Sequence, residues 1–148
     1  MKILAVAEQR ENKFKKPAFE VVRTARTIAD QMGGDVVALV IGDQVQSIAG
    51  ELGGYGATKV LVVQQPTLGN YASSAYAKII AEAAKKEQAE IVLCSATAMG
   101  RDSAPRVAVK LDAGFASDCT ALKVENGALI ATRPIYAGKA LTDIKINS

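Results

Sequence analysis

The sequence predicts a three-layer α/β/α sandwich built on a mainly parallel sheet, with antiparallel strands added near the carboxyl terminus. Short, almost wholly apolar runs recur along the first two thirds of the chain, as is typical of strands buried on both faces of a parallel sheet. Helical patterns separate these runs. Short connections between such strands and helices indicate βαβ units, with helices on both faces of the sheet.

The predicted elements follow one another closely up to residue 111. The strands are Ile3–Ala7, Asp35–Ile41, Lys59–Val63 and Ile91–Cys94. The helices are Ala18–Met32, Gln44–Leu52, Tyr71–Lys86 and Val107–Leu111. Gly33 and Gly34 end the first helix, and Pro105 is expected to open the last one, with Ser103 as its candidate cap.

The pattern changes after Gly114. Three β-prone runs follow, namely Phe115–Val124, Ala128–Tyr136 and Ala140–Ile146. Asn126-Gly127 between the first two is a strong hairpin signal. Pro134 places the second run at an edge or a bend, because proline cannot donate a ladder hydrogen bond. We therefore expect an antiparallel ribbon that is appended to the parallel sheet or extends it.

The composition narrows the classes of function. The chain has 148 residues, of which 49% are hydrophobic and 22% are charged, so we expect a single globular domain over residues 1–148. Histidine is absent, which removes the commonest general base, the Ser–His and Cys–His nucleophile pairs, and most zinc sites. We expect neither a catalytic nor a metal site in this domain.

Charge and cysteine content indicate partners and compartment. Net charge is only +3 and aromatic residues make up 5%, so nucleic-acid binding is not expected, and the basic residues of 13–16 and 85–86 are better explained as solvated surface. No segment has the length of a membrane span or the core of a signal peptide. Cys94 and Cys119 form no C-x-x-C pair and are expected to stay reduced, which favours a cytoplasmic location.

The strongest candidate site is the stretch after the fourth strand, residues 95–106. Gly100 would let a backbone approach closely, and Arg101 offers a planar cation suited to a carboxylate or a phosphate. A structural interpretation stands beside this one, in which Arg101 and Arg106 pair with nearby aspartates. Those aspartates are Asp102, Asp112 and Asp118.

Other motifs are weaker signals of a functional site than residues 95–106. The cluster Gly54-Tyr55-Gly56 follows a helix and precedes a strand, which is the wrong order for a dinucleotide fingerprint, so we expect a tight loop there. No P-loop motif occurs. Glu8 and Asp118 could form a carboxylate pair, but solvated or arginine-paired carboxylates explain them better. Tyr136, next to the proline-containing run, could offer an aromatic contact to another domain.

Seven segments together resemble the N-terminal domain of electron transfer flavoprotein α subunits. They are Ile3–Glu8, Gly56–Val60, Gly100–Asp102, Pro105–Ala108, Lys110–Leu111, Ser117–Asp118 and Arg133–Ala140. Lys139 is a departure, since the family commonly has asparagine at that position. Subunits of this family are about twice as long, so the chain is expected to be one part of a longer or split protein.

The resemblance has implications for fold, cofactor and partners. It implies that the α/β sandwich is of the adenine-nucleotide-hydrolase-like type. The family holds FAD in its carboxyl-terminal half, so no cofactor is expected here. The α-subunit domain packs on a β subunit, and the intact protein accepts electrons from dehydrogenases and passes them to a quinone reductase or another acceptor. The residues at which the resemblance implies a subunit or domain interface are Gly100, Arg101, Arg106, Asp118 and Tyr136.

Two alternatives remain from other classes. One is a stand-alone nucleotide-binding domain of the stress-protein type, which shares the broad fold. Such proteins place a glycine-rich phosphate loop after the fourth strand, and this chain has none. The other is a hydrolase of the same fold class, for which no nucleophile and base can be recognised.

Overall fold

A computed structural model describes residues 1–113 in full and, beyond them, the backbone of three strands. In chain order the elements are β1 (Lys2–Val6), β2 (Gln9–Arg10), β3 (Lys13–Phe14), α1 (Lys16–Met32), β4 (Asp35–Gly42), a 3₁₀ helix (Ala49–Tyr55), β5 (Lys59–Gln64), a short 3₁₀ turn (Pro66–Leu68), α2 (Ser73–Glu87), β6 (Ile91–Cys94), α3 (Ala98–Leu111), β7 (Ala121–Glu125), β8 (Ala128–Ile135) and β9 (Ala140–Lys145).

The four predicted strands form one parallel sheet in the order β5-β4-β1-β6. Its register is set at β1, where Leu4 pairs with Val37 on one side and Val92 on the other. The helix α1 packs on one face, and α2 and α3 pack on the other. The predicted three-layer α/β fold is therefore confirmed.

The unbroken apolar runs have a simple explanation in the core. Alternate residues of a strand point to opposite faces. Accordingly, Ile3 and Ala5 of β1 pack in the cluster under α1, whereas Leu4 and Val6 pack in the cluster under α2 and α3. All four are buried. A strand covered on both faces needs apolar residues at every position, which is what made these strands visible in the sequence.

Two connections between a helix and the following strand contain glycines with positive φ. Gly33 ends α1 in a left-handed conformation, with φ of 72°. Gly56 ends the 3₁₀ helix before β5 with φ of 117°, so the loop expected at Gly54-Tyr55-Gly56 begins only at its last residue. Gly54 and Tyr55 lie within the 3₁₀ helix. The segment predicted as a helix over 44–52 is instead a 3₁₀ helix at 49–55, because three glycines in seven residues weaken an α-helix.

The start of α3 corrects a prediction. The helix begins at Ala98, and Pro105 lies inside it rather than opening it. Thr97 is the cap, its Oγ1 accepting a hydrogen bond from the Gly100 N–H at 3.2 Å, and Ser103 is buried in the helix interior. Pro105 costs the helix one backbone hydrogen bond, which tertiary packing of the first turns outweighs.

The carboxyl-terminal strands form a separate antiparallel sheet in the order β7-β8-β9. The Asn126-Gly127 signal correctly placed a connection between β7 and β8. The prediction that Pro134 places its strand at an edge is wrong, since β8 lies between β7 and β9. Pro134 pairs with Leu141 of β9.

A buried carboxylate stabilises the edge of the parallel sheet at which its strands begin. The Glu87 side chain, at the end of α2, is only 4% exposed. It accepts hydrogen bonds from the Nζ of Lys59, at 3.0 Å to Oε2, and of Lys2, at 3.4 Å to Oε1. The bond from Lys59 is the main reason that the pKa of Glu87 is lowered, against the opposing effect of burial. One carboxylate thus joins α2 to β1 and β5.

Glu87 therefore makes stability dependent on pH. Because the folded pKa is lowered, its contribution is present above the ordinary glutamate value of 4.5 and is lost as pH falls through the folded value. We expect Glu87→Gln to lower the free energy of unfolding at neutral pH by about 1–2 kcal/mol. The deficit relative to the unsubstituted chain should shrink in acid. Urea unfolding across pH measures it, with the exposed Glu82→Gln on the same helix as control. An equal deficit at all pH values would contradict this account.

Gly100 should be intolerant of any side chain. A Cβ at this position would lie 1.8 Å from the Ser95 carbonyl oxygen, which is backbone and has little freedom to move. We expect Gly100→Ala to destabilise the chain by about 3 kcal/mol or more. The matched control is Gly50→Ala, where nothing lies within 4 Å of the new methyl group. Thermal melts of both variants test this, and similar melting temperatures for the two would show that the first turn of α3 lies elsewhere.

Candidate functional site

The strand order identifies one crevice as the place to look for a ligand. The chain runs from β1 outward to β4 and β5, then returns to place β6 on the other side of β1. In open α/β sheets, ligands bind outside the carboxyl ends of the strands at such a switch point. Glu8 follows β1 at this edge, and Ser95 and Thr97 follow β6.

A hydrogen bond bridges the two sides of this crevice. The Thr97 hydroxyl donates to Oε1 of Glu8. Burial raises the pKa of Glu8, and the bond from Thr97 acts in the opposite direction. Thr97 also caps α3, so one side chain joins the end of β1 to the start of that helix. Glu8 was singled out from the sequence as one of a carboxylate pair with Asp118, which lies outside the described residues. Its partner here is Thr97.

The backbone after β6 closes the crevice further. Gly100 is buried, and the group that approaches it closely is the Ser95 carbonyl of the same chain. The Ser95 hydroxyl donates to the Pro17 carbonyl oxygen at 3.2 Å. The close backbone approach that the sequence suggested at Gly100 is therefore made within the domain. Gly100 can influence an interface only through the shape of α3.

Asp102 has a role that the sequence did not reveal. It accepts hydrogen bonds from the hydroxyls of Tyr71 and Ser73, each at 2.6 Å to Oδ2, and Arg106 lies 3.5 Å from its Oδ1. The bond from Ser73, followed by that from Tyr71, lowers the pKa of Asp102. Asp102 thus attaches α3 to the start of α2. The local pairing of Arg106 with Asp102 is confirmed; only the four-residue spacing signalled it.

The predicted interface residues do not converge on one point. Arg101 and Arg106 are both exposed, but five residues of helix separate them by about 140° around the axis. Asp118 and Tyr136 lie outside the described residues. Two arginines on different sides of a helix cannot grip one small anion together, whereas each can contact part of a larger surface.

The outward side of α3 carries apolar surface beside Arg106. Val109 is 82% exposed, an unusual state for a large apolar side chain. It lines a shallow depression together with Pro105, Ala108 and the end of the helix. The sequence showed only an apolar helix after Pro105 and gave no sign that Val109 would face outward.

Little in the described part of the chain supports a reactive nucleophile or a metal site. Burial, reinforced by the charge of Glu8, raises the pKa of the Cys94 thiol to about 12, so it stays protonated and unreactive at neutral pH. Among residues 1–113, no three metal-ligating side chains cluster together. No helix in the same part of the chain is long and apolar enough to cross a membrane.

Comparison with known proteins gives the family. Residues 3–148 match the electron transfer flavoprotein domain family. The chain is 44% identical over 140 residues to the electron transfer flavoprotein subunit alpha of Thermoanaerobacterium thermosaccharolyticum, a match that covers 94% of this chain and 42% of that relative. The subunit alpha of Bacillus subtilis is 37% identical over 139 residues, with 94% and 42% covered.

A third relative has a more specialised name. The acryloyl-CoA reductase electron transfer subunit beta of Anaerotignum propionicum is 42% identical over 123 residues, covering 83% of this chain and 34% of the relative. The chain thus spans less than half the length of these relatives. A match over nearly the whole chain, with identities well above 30%, is sufficient to assign the family. The chain belongs to the electron transfer flavoprotein family.

Proposed function

We propose that this chain is the N-terminal domain of an electron transfer flavoprotein α subunit, and that its own task is structural. It packs on a β subunit and shapes the surface over which the flavin-carrying part of the intact protein sits. The observation that carries the proposal is the hydrogen bond from Thr97 to Glu8, which holds a carboxyl group at the switch point where domains of this fold bind ligands. Such an edge suits a domain that supports a cofactor held elsewhere.

The side chains at the switch point are a poor match for a nucleotide or a flavin. Phosphate groups in such folds bind the N–H groups at the start of the helix after the strand. Here the Thr97 hydroxyl oxygen accepts a hydrogen bond from the Gly100 N–H. The same hydroxyl donates to the carboxylate of Glu8. An incoming phosphate would meet the carboxyl group of Glu8, and the Gly100 N–H would already be bonded to Thr97. The residues of this edge therefore do not fit FAD or AMP, and we place the flavin in the part of the relatives that this chain does not span.

The outward side of α3 supports the packing role. Arg106 is half exposed, and the exposed Val109 lies one turn further along the helix. An apolar patch beside an arginine is typical of the centre of a protein interface. We extend this interface to Arg101, Asp118 and Tyr136, where the family motifs are densest.

The intact protein would act as an electron carrier. Its FAD supplies the redox chemistry, and the protein supplies binding and orientation. Relatives named electron transfer subunits support this role, including one named for acryloyl-CoA reductase. Dehydrogenases as donors, a quinone reductase or another acceptor, and a cytoplasmic location complete the proposal.

A titration tests the ligand part of the proposal. The 148-residue chain should be colourless, should not quench FAD fluorescence, and should give no heat with AMP in calorimetry, because Glu8 is hydrogen-bonded to Thr97 beside the start of α3, where a phosphate would otherwise bind. Stoichiometric yellow protein would overturn it. So would micromolar affinity for AMP that Arg101→Ala removes, which would favour a stand-alone nucleotide-binding domain.

A second experiment tests the interface in the intact protein. We expect Arg106→Ala to weaken co-purification of the full-length α subunit with its β partner, or to lower its flavin content. In the isolated chain the same change should cost less than about 1 kcal/mol, since the pair with Asp102 is half exposed. The exposed Lys86→Ala on α2 is the control. If Arg106→Ala unfolds the isolated chain but leaves assembly and flavin content unchanged, Arg106 supports the core and the interface lies elsewhere.

A further inference from the structure

We propose that the hairpin β2–β3 and the residue pair that follows it form an electrostatic docking site for the acidic surface of a partner protein. The site comprises residues 10–16 and is called the basic hairpin below. The inference rests on the proposed function in one respect, since an electron carrier must meet its partners often and release them quickly. It concerns a different surface from the α3 interface.

The charge of the chain is concentrated in this segment. Arg10, Lys13, Lys15 and Lys16 outnumber the single carboxylate of Glu11 by three. The net charge of the whole chain is also +3, so the remainder of the sequence is balanced. A chain that is neutral apart from one short segment has a strongly asymmetric electric field, and such a field orients an approaching charged partner.

The cations of the basic hairpin are available to solvent. All four, with Glu11, are exposed. Lys16 forms an ion pair with Glu20 at 3.7 Å, and the two side chains are 87% and 60% exposed, so the pair contributes little free energy and can be exchanged for another partner.

The backbone that carries these cations is fixed in place. Glu11 and Asn12 have φ of 55° and 62°, the left-handed conformations of a two-residue type I′ hairpin. The Asn12 N–H donates to Oε1 of Gln9 at 3.0 Å, and Oδ1 of Asn12 accepts from the Gln44 N–H at 3.0 Å. The turn is thus tied both to itself and to the loop after β4. A charged surface on a fixed backbone loses little entropy on binding.

The chemistry of the segment favours a protein over a nucleic acid. Its one aromatic residue, Phe14, packs edge-on against Phe19 with ring centroids 5.7 Å apart, and Phe19 in turn stacks on Tyr55 at 4.4 Å. The Phe14 ring is therefore engaged in the domain and cannot serve as a stacking platform for bases. Three of the four cations are lysines, which lack the bidentate geometry of arginine for base edges.

A membrane surface is also a poorer fit. Stable attachment to lipid needs apolar side chains that insert beside the basic ones. No large apolar side chain of the basic hairpin is exposed. Mobile, strongly hydrated lysines facing scattered carboxylates are instead typical of complexes that form fast and dissociate fast.

Binding of a fluorescein-labelled glutamate-rich peptide to the 148-residue chain tests the proposal. Lys13→Glu/Lys15→Glu should weaken the binding measured by anisotropy about tenfold at low salt, and the affinity of the unsubstituted chain should fall steeply as salt is added. Lys85→Glu/Lys86→Glu makes the same change in net charge on α2 and should change affinity less than about twofold. Thermal melts check that both variants fold, and the milder Lys13→Gln/Lys15→Gln replaces the first if it does not.

The outcomes separate the alternatives. No binding of the peptide, or equal loss in the two charge-reversed variants, would overturn the proposal, because net charge alone would then explain the result. Tighter binding of an oligo-dT strand, or of vesicles containing phosphatidylserine, would also overturn it in favour of those partners. The flavin and subunit experiments have other readouts. If the flavin and subunit experiments failed while the Lys13 and Lys15 substitutions still weakened peptide binding, the docking site would be supported and the electron-carrier function would be rejected.

Discussion

The first turn of α3 lies directly against the Ser95 carbonyl, and this contact depends on residue 100 having no side chain. Several features follow from it. The turn brings Thr97 to Glu8, which closes the switch point, and one turn later it brings Asp102 to Tyr71 and Ser73, which attaches α2. The links of α3 to the end of β1 and to the start of α2 thus share a single steric requirement at Gly100.

The parallel sheet was predictable because its signal is local. In β1 and β4 nearly every residue is buried, so burial on two faces is visible as an unbroken apolar run. The end of α1 was equally clear, since Gly33 adopts a conformation that other residues avoid. These features depend on neighbours in sequence, and a single chain contains all the information needed for them.

The parts that the sequence did not reveal depend on contacts between distant residues. Pro105 is a good signal for a helix start, and it was misleading because packing of Gly100 and Ser103 stabilises the turns before it. Asp102 meets Tyr71 and Ser73 across about thirty residues of chain, which no local pattern indicates. The hairpin β2–β3 was missed because its turn is Glu-Asn rather than the usual Asn-Gly.

Pro105 also gives α3 two mechanically different halves. A proline within a helix removes one rung of the hydrogen-bond ladder and weakens the coupling between the turns on either side. The half before it holds two buried residues and the anchored carboxylate of Asp102, while the half after it holds only Val107 as a buried residue. Force applied from the part of the chain that follows α3 would therefore be absorbed by the later turns. We therefore expect the later turns of α3 to open more readily than the first ones.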